Sequence, residues 1–174
     1  MKNIFVVGCL LLMACGSGNK QTNTTDTLKT DSTNIPPVTN IPIHFRQING
    51  YFVKNTLNQK DSIACWVIQS QPIFDNIFGA AKTMNNTVDT INFDREVLLA
   101  ATLPASFEKR TLGLTNYKLD GPVLHVQLSV NGSGRKESYS STAAWLGAVQ
   151  DIPGLKEIKF YNGDLLIATI PLLK

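Results

Sequence analysis

The chain has 174 residues, 43% of them apolar, and a formal charge of +3 from 16 Lys and Arg against 13 Asp and Glu. That apolar share is enough for one real core, and the length favours a single compact domain once any leader and linker are set aside. Basic and acidic residues are interspersed rather than clustered, which excludes the basic face on which nucleic-acid binding depends.

The first residues have the three parts of an export signal. Lys2 supplies the positive end, residues 4–12 form an apolar run interrupted only by Gly8 and Cys9, and small residues follow. A membrane-spanning helix needs about 20 apolar residues, and Gly16, Ser17, Gly18, Asn19 and Lys20 end this run short of that. Residues 1–14 are therefore expected to be a signal peptide. Leu12-Met13-Ala14-Cys15 resembles the lipobox of bacterial lipoproteins, with an aliphatic residue three before the cysteine and a small one directly before it. The resemblance implies acylation of the Cys15 thiol and cleavage between Ala14 and Cys15, an ordinary secretory leader cut nearby being the alternative. Each buried methylene contributes about 0.8 kcal/mol, so several acyl chains hold a protein at a membrane without a spanning segment. Gly16 stands where many inner-membrane lipoproteins carry an aspartate, and no acidic run follows. The first feature favours the outer membrane over the inner one, and the second a domain facing the periplasm.

Residues 15–42 are expected to form a flexible tether beginning at the lipidated cysteine. Thr, Asn, Asp, Ser and Lys dominate it, Leu28, Ile35 and Val38 are the only larger apolar side chains from residue 16 to 40, and Pro36, Pro37 and Pro42 stiffen its end. A flexible stretch of this length spans on the order of 25 to 30 Å r.m.s.. Thr27 and Ser32 lie in Asp-Ser/Thr-apolar or similar triplets, as do Ser62 and Thr90. These triplets resemble the acceptor motif of an O-glycosylation system of Bacteroidetes-type bacteria, solvated linker chemistry being the alternative in the tether.

From residue 43 to 174 the pattern changes to short apolar or alternating runs separated by turn residues. The expected fold is mainly β: an antiparallel meander forming a sandwich or open barrel-like sheet, with one short helix packed on it. Asn49-Gly50 precedes a first short strand at 51–54. Residues 63–68 and 97–101 are apolar at nearly every position, which predicts central strands covered on both faces. Between them, residues 71–78 predict a helix with Ser70 or Gln71 near its start, Pro72 in its first turn and Gly79 at its end. Its pairs Ile73 with Ile77 and Phe74 with Phe78 would pack on a sheet. Asp120-Gly121 predicts a hairpin whose second strand turns Leu124, Val126, Leu128 and Val130 inward, and His125, Gln127 and Ser129 outward. Asn131-Gly132-Ser133-Gly134 predicts a further hairpin loop, and Asn162-Gly163 a last one.

Few residues suggest chemistry. Cys65 is the one cysteine left after the signal and the lipid, so no intramolecular disulfide can form; its apolar strand predicts a buried structural thiol rather than a nucleophile. His44 and His125 are 81 positions apart in sequence and lack the spacing of a metal site or triad. Asp94, Arg95 and Glu96, and then Glu108, Lys109 and Arg110, are expected to be solvated loops, although paired carboxylates about 5 to 9 Å apart could do acid and base work. The loop at 131–136 leads into a strand rather than a helix, so it is not an anion cradle. Among the aromatics, Trp66 is expected in the core, and Tyr139 and Trp145 on an exposed partner surface. No catalytic residue, metal or cofactor is assigned.

Phe74-Asp75-Asn76-Ile77-Phe78, then Ile91-Asn92-Phe93-Asp94-Arg95-Glu96, then the apolar strand and hairpins, resemble the C-terminal domain of PrcB-type lipoproteins over about residues 51–170. That family's Thr-Gly-Gly-Tyr segment is replaced here by Lys109-Arg110-Thr111-Leu112-Gly113-Leu114. The resemblance implies a noncatalytic subunit of an envelope protease complex. The functional expectation is accordingly a binding or scaffold module for another envelope protein, working through loops or an edge strand. An envelope hydrolase using carboxylates or Cys65, or a carrier of a small apolar ligand, are the alternatives.

Overall fold

A computed structural model describes residues 42–60, 62–82 and 87–172, all within one compact unit, Val38–Lys174. The signal peptide, Cys15, Thr27, Ser32 and the tether lie outside the described residues. No helix among the described residues is long and apolar enough to cross a membrane.

The elements in chain order are β1 (Phe45–Gln47), β2 (Tyr51–Val53), β3 (Ala64–Ile68), α1 (Gln71–Ile77), β4 (Phe78–Ala80), β5 (Glu96–Thr102), β6 (Ser106–Asp120), β7 (Val123–Ser141), β8 (Ala144–Gln150), β9 (Glu157–Asn162) and β10 (Leu165–Pro171). One four-stranded sheet has the order β1-β8-β5-β3, a second has β10-β9-β7-β6, and β2 pairs with β4 alone. The fold is mainly β and sandwich-like, as the alternating runs predict.

The period-2 alternation of each strand decides what fills the sandwich. Val97, Leu99 and Ala101 of β5, with Trp145 and Val149 of β8, meet Leu124, Val126 and Leu128 of β7 and Ile158 and Phe160 of β9. The intervening positions Leu98, Ala100, Leu146 and Ala148 face the other way, where they are covered by Phe74, Ile77 and Phe78 together with Ile48 and Val53. A first sheet buried on both faces explains why residues 97–101 read as a continuous apolar run. Thr102, fully buried at the end of β5, donates its hydroxyl to Gln59 Oε1 at 2.5 Å, and Gln59 Nε2 donates back to the Thr102 carbonyl at 2.9 Å, pinning the loop before β3. Among the described residues, no buried side-chain nitrogen or oxygen lacks a partner.

Several expectations are corrected in detail. Residues 63–68 hold the edge strand β3, half-buried rather than covered on both faces, and the second central strand is β8. Helix α1 ends at Ile77; Gly79 lies within β4, where a Cβ would stand 2.6 Å from the Phe52 ring, so glycine is needed for that close approach rather than for a helix cap. Phe74, Ile77 and Phe78 are buried but Ile73 is 51% exposed, because a helix of two turns presents only one stripe to the sheet. The last hairpin turns at Gly163-Asp164, one residue later than Asn162-Gly163, with Asn162 paired to Leu165.

The largest departure is at residues 131–134. No hairpin forms there: β7 continues through them, pairing Asn131 with Thr111, Gly132 with Arg110 and Lys136 with Glu108. Four positions on β7 thus oppose two on β6, and the surplus forms a bulge. The Glu108 carboxylate enters it, accepting the Gly134 N–H at 3.1 Å, and would lie 2.5 Å from a Cβ at Gly132. A side-chain oxygen therefore does for the Gly134 amide what a turn would have done. After Ser141 the chain crosses to β8 in the other sheet and returns as β9, parallel to β7.

Candidate functional site

Each region with chemical potential is defined by what its side chains touch. At the start of β5, an open groove of about 940 Å³ is bordered by Arg46, Asn92, Asp94, Arg95, Glu96 and Asp151. Arg46 Nη2 donates to both Glu96 oxygens, at 3.0 and 2.8 Å, and to the Thr90 carbonyl at 3.0 Å. Glu96 also accepts the Asn92 N–H at 3.0 Å, while Asn92 Oδ1 accepts the Asp94 N–H at 3.1 Å and closes an Asx turn. The Glu96 carboxylate is thus occupied in fastening β1 to the 90–96 segment. This arrangement positions a loop and does not pair it with Asp94 for acid and base work.

Glu108 and Arg110 lie in β6 rather than in a turn. Glu108 fills the bulge described above, and Arg110 Nη2 donates to the Pro104 carbonyl. Cys65 is half-buried in β3, and burial pushes its thiol up from 9.0 to about 12. Burial in an apolar surround disfavours the charged thiolate, which is the reverse of what nucleophilic cysteines require. At pH 8 the thiolate fraction is about a thousandfold below that of an exposed thiol. Alkylation of the folded protein by iodoacetamide is therefore expected to be slower by two to three orders of magnitude, roughly, than after unfolding in urea, with the rate still climbing above pH 10. Equal rates in the two states would contradict this placement. The Tyr51 hydroxyl is also raised, by burial first and then by the Asp89 and Asp75 carboxylates, and it donates to the Asp89 carbonyl at 2.7 Å.

The two expected exposed aromatics separate. Tyr139 is exposed on the far part of β7, with exposed Phe107 on β6. Trp145 is 5% exposed and belongs to the inter-sheet core, because its position in β8 points inward and its ring lies over Gly147 beside Phe45. Trp66 is half-buried at the margin of the layer that contains α1.

His44 is exposed and His125 lies on the outer face of the second sheet, as the alternation of β7 requires. Its ring stacks on Tyr161 at a centroid distance of 5.7 Å and an interplanar angle of 21°, and its Nδ1 is hydrogen-bonded to the Tyr161 hydroxyl at 3.0 Å. Among the described residues, no group of three His, Cys, Asp or Glu is placed to hold a metal ion.

The remaining feature is β10, which sequence reading treated only as a hairpin arm. It is the edge of the second sheet, and Leu165 and Leu166 at its start are 72% and 49% exposed. A register shift between Leu166 and Ala168 turns the strand there. Apolar side chains in a hairpin look like core in the sequence; only the strand order shows that, among the described residues, no further strand pairs with β10. Comparison with protein-family models, curated proteins and solved structures finds no match to this chain.

Proposed function

We propose that the protein is a lipid-anchored, noncatalytic binding module of the bacterial envelope. It engages another envelope protein along the open edge of β10. The observation that carries this reading is the pair of exposed leucines on an edge strand. Such an edge presents unpaired N–H and C=O groups, which soluble proteins usually blunt with lysine, proline or a cover. Here Pro171 marks the far end of the strand while the near end is apolar. An extended segment added to this edge would gain main-chain hydrogen bonds from β10 and side-chain contacts from Leu165 and Leu166. The titratable groups described above are engaged in positioning loops and filling a bulge, and the space between the sheets is filled by side chains, so neither the hydrolase nor the apolar-carrier alternative gains support. In this reading Cys15 carries the lipid, the tether gives the domain reach, and the domain faces the periplasm from the outer membrane. The PrcB-type resemblance gives an envelope protease complex as the class of partner.

The test is affinity capture of the full-length lipidated chain from detergent-solubilised envelopes of its own cells, in parallel with the L165D/L166D double variant. Both sites are exposed, so the fold should be unchanged by circular dichroism. The wild type is expected to recover a stoichiometric partner, and the variant to lose at least about tenfold of it, the change that about 1.4 kcal/mol produces. Recovery of the same partner in equal yield by both chains, or of none by either, would overturn the reading.

A further inference from the structure

We infer that the outer face of the second sheet is a binding site for a neutral saccharide. The site is independent of the β10 edge and rests on the cross-strand register. Asn116 of β6 pairs with Gln127 of β7, which lies beside Tyr161 of β9; one step along, Lys118 pairs with His125, which lies beside Lys159. These positions share a face because they are two residues apart on each strand. Asn116, Lys118, His125, Gln127 and Tyr161 border a depression of about 310 Å³, with Asp120 and Asp164 also in its lining. That is the lower end of the range in which small-molecule sites fall, about 300 to 1,000 Å³, and suits one or two sugar rings rather than a long chain.

The electrostatics of the face select against a charged ligand. Lys118 Nζ lies 3.4 Å from Asp120 Oδ2 and Lys159 Nζ 3.1 Å from Glu157 Oε1, each pair formed on a single strand. Each lysine thus has a carboxylate beside it, and with Asp120 and Asp164 in the lining against Lys118 there is no excess of positive charge to attract a phosphate or a carboxylate. What remains is an aromatic and amide surface. The stacked His125 and Tyr161 rings provide a rigid platform with an apolar body and a polar tip, the form of surface against which the C–H faces of a pyranose pack. Gln127 Nε2 is held by the Gly163 carbonyl at 3.0 Å and Asp164 Oδ1 at 3.4 Å, which fixes the amide in one orientation. The same lining carries His125 Nε2, the Asn116 amide nitrogen and the Asp164 carboxylate. They offer a donor from the amide, an acceptor from the carboxylate and, depending on the His125 tautomer, either from Nε2, the mixture that vicinal hydroxyls satisfy because each hydroxyl both donates and accepts. A purely apolar ligand would leave these groups unpaired and is disfavoured for that reason.

The experiment uses the purified full-length chain and isothermal titration calorimetry with maltose, cellobiose and N,N′-diacetylchitobiose, and with glucuronic acid as the charged counterpart. At least one disaccharide is expected to bind with a Kd of about 1 mM or below. His125→Ala is expected to weaken it at least about tenfold, and Tyr161→Phe, which keeps the ring and loses the hydroxyl, by about three- to fivefold. Both sites face solvent, and circular dichroism confirms folding of each variant. No heat from any disaccharide at about 10 mM, tighter binding of glucuronic acid, or unchanged affinity in both variants would each overturn the assignment. Failure of the β10 capture test leaves this prediction standing, and the converse also holds.

Discussion

Replacing Phe74 by alanine is expected to destabilise the protein by about 3 to 5 kcal/mol, whereas replacing Ile73 beside it should cost about 0.5 kcal/mol or less. The contrast follows from the single stripe that α1 presents. Phe74 is fully buried and meets Tyr51 edge-on at 4.8 Å, Phe78 in a stack at 5.3 Å and Phe93 at 6.1 Å. It joins the helix, β2, β4 and the 90–96 segment in one aromatic cluster, and each such pair contributes about 0.5 to 1.5 kcal/mol beyond its area. A seven-residue helix has no stability of its own. Losing the ring should therefore loosen this layer first. Urea denaturation measures the total loss, and hydrogen exchange should show the amides of β2 and β4 deprotected before those of β5. A cost for Phe74→Ala below about 1 kcal/mol would mean that the layer is not held by this cluster.

Gly147→Ala is the second large effect, at about 3 kcal/mol, although it adds one methyl group. The new Cβ would lie 2.6 Å from Trp145 Cζ2, 2.9 Å from Trp145 Cη2 and 3.3 Å from Phe45 Cδ1. The indole has nowhere to move, since it is buried against the inter-sheet core. In a Trp145→Leu background the two closest contacts are gone and only the 3.3 Å approach to Phe45 remains, so the same substitution should cost less than about 1 kcal/mol, helped by the lower entropy of the unfolded chain with alanine in place of glycine. The two changes should thus couple by about 2 kcal/mol in a double-mutant cycle. Additive costs would show that the indole does not rest on Gly147.

Most elements were legible from local pattern because the physics that forms them is local. The apolar pairs of α1, the Asp120-Gly121 turn and the alternation through Leu124, Val126 and Leu128 each depend on residues a few positions apart. Contacts between distant segments were not legible. Asn131-Gly132-Ser133-Gly134 carries turn chemistry, yet the strand runs on through a bulge that Glu108, more than twenty positions earlier, enters to accept the Gly134 N–H. Local sequence suggests an exposed Trp145, while strand order puts it inside. The outer-face site was half visible: alternation put His125 and Gln127 outward, but Tyr161 joins them only through the parallel pairing of β7 with β9. The leucines of β10 likewise depend on strand order.

The strand order also governs when the domain can form. β1 pairs with β8, matching Phe45 to Val149 about a hundred residues later, and β5 gains its second neighbour only from that same late strand. A chain made from its N-terminus has no partner for β1 until β8, about a hundred residues later, has been added. Loop closure over such separations comes late and slowly. The first sheet can therefore close only once its late strand β8 is available to join the opening strand to the middle of the chain.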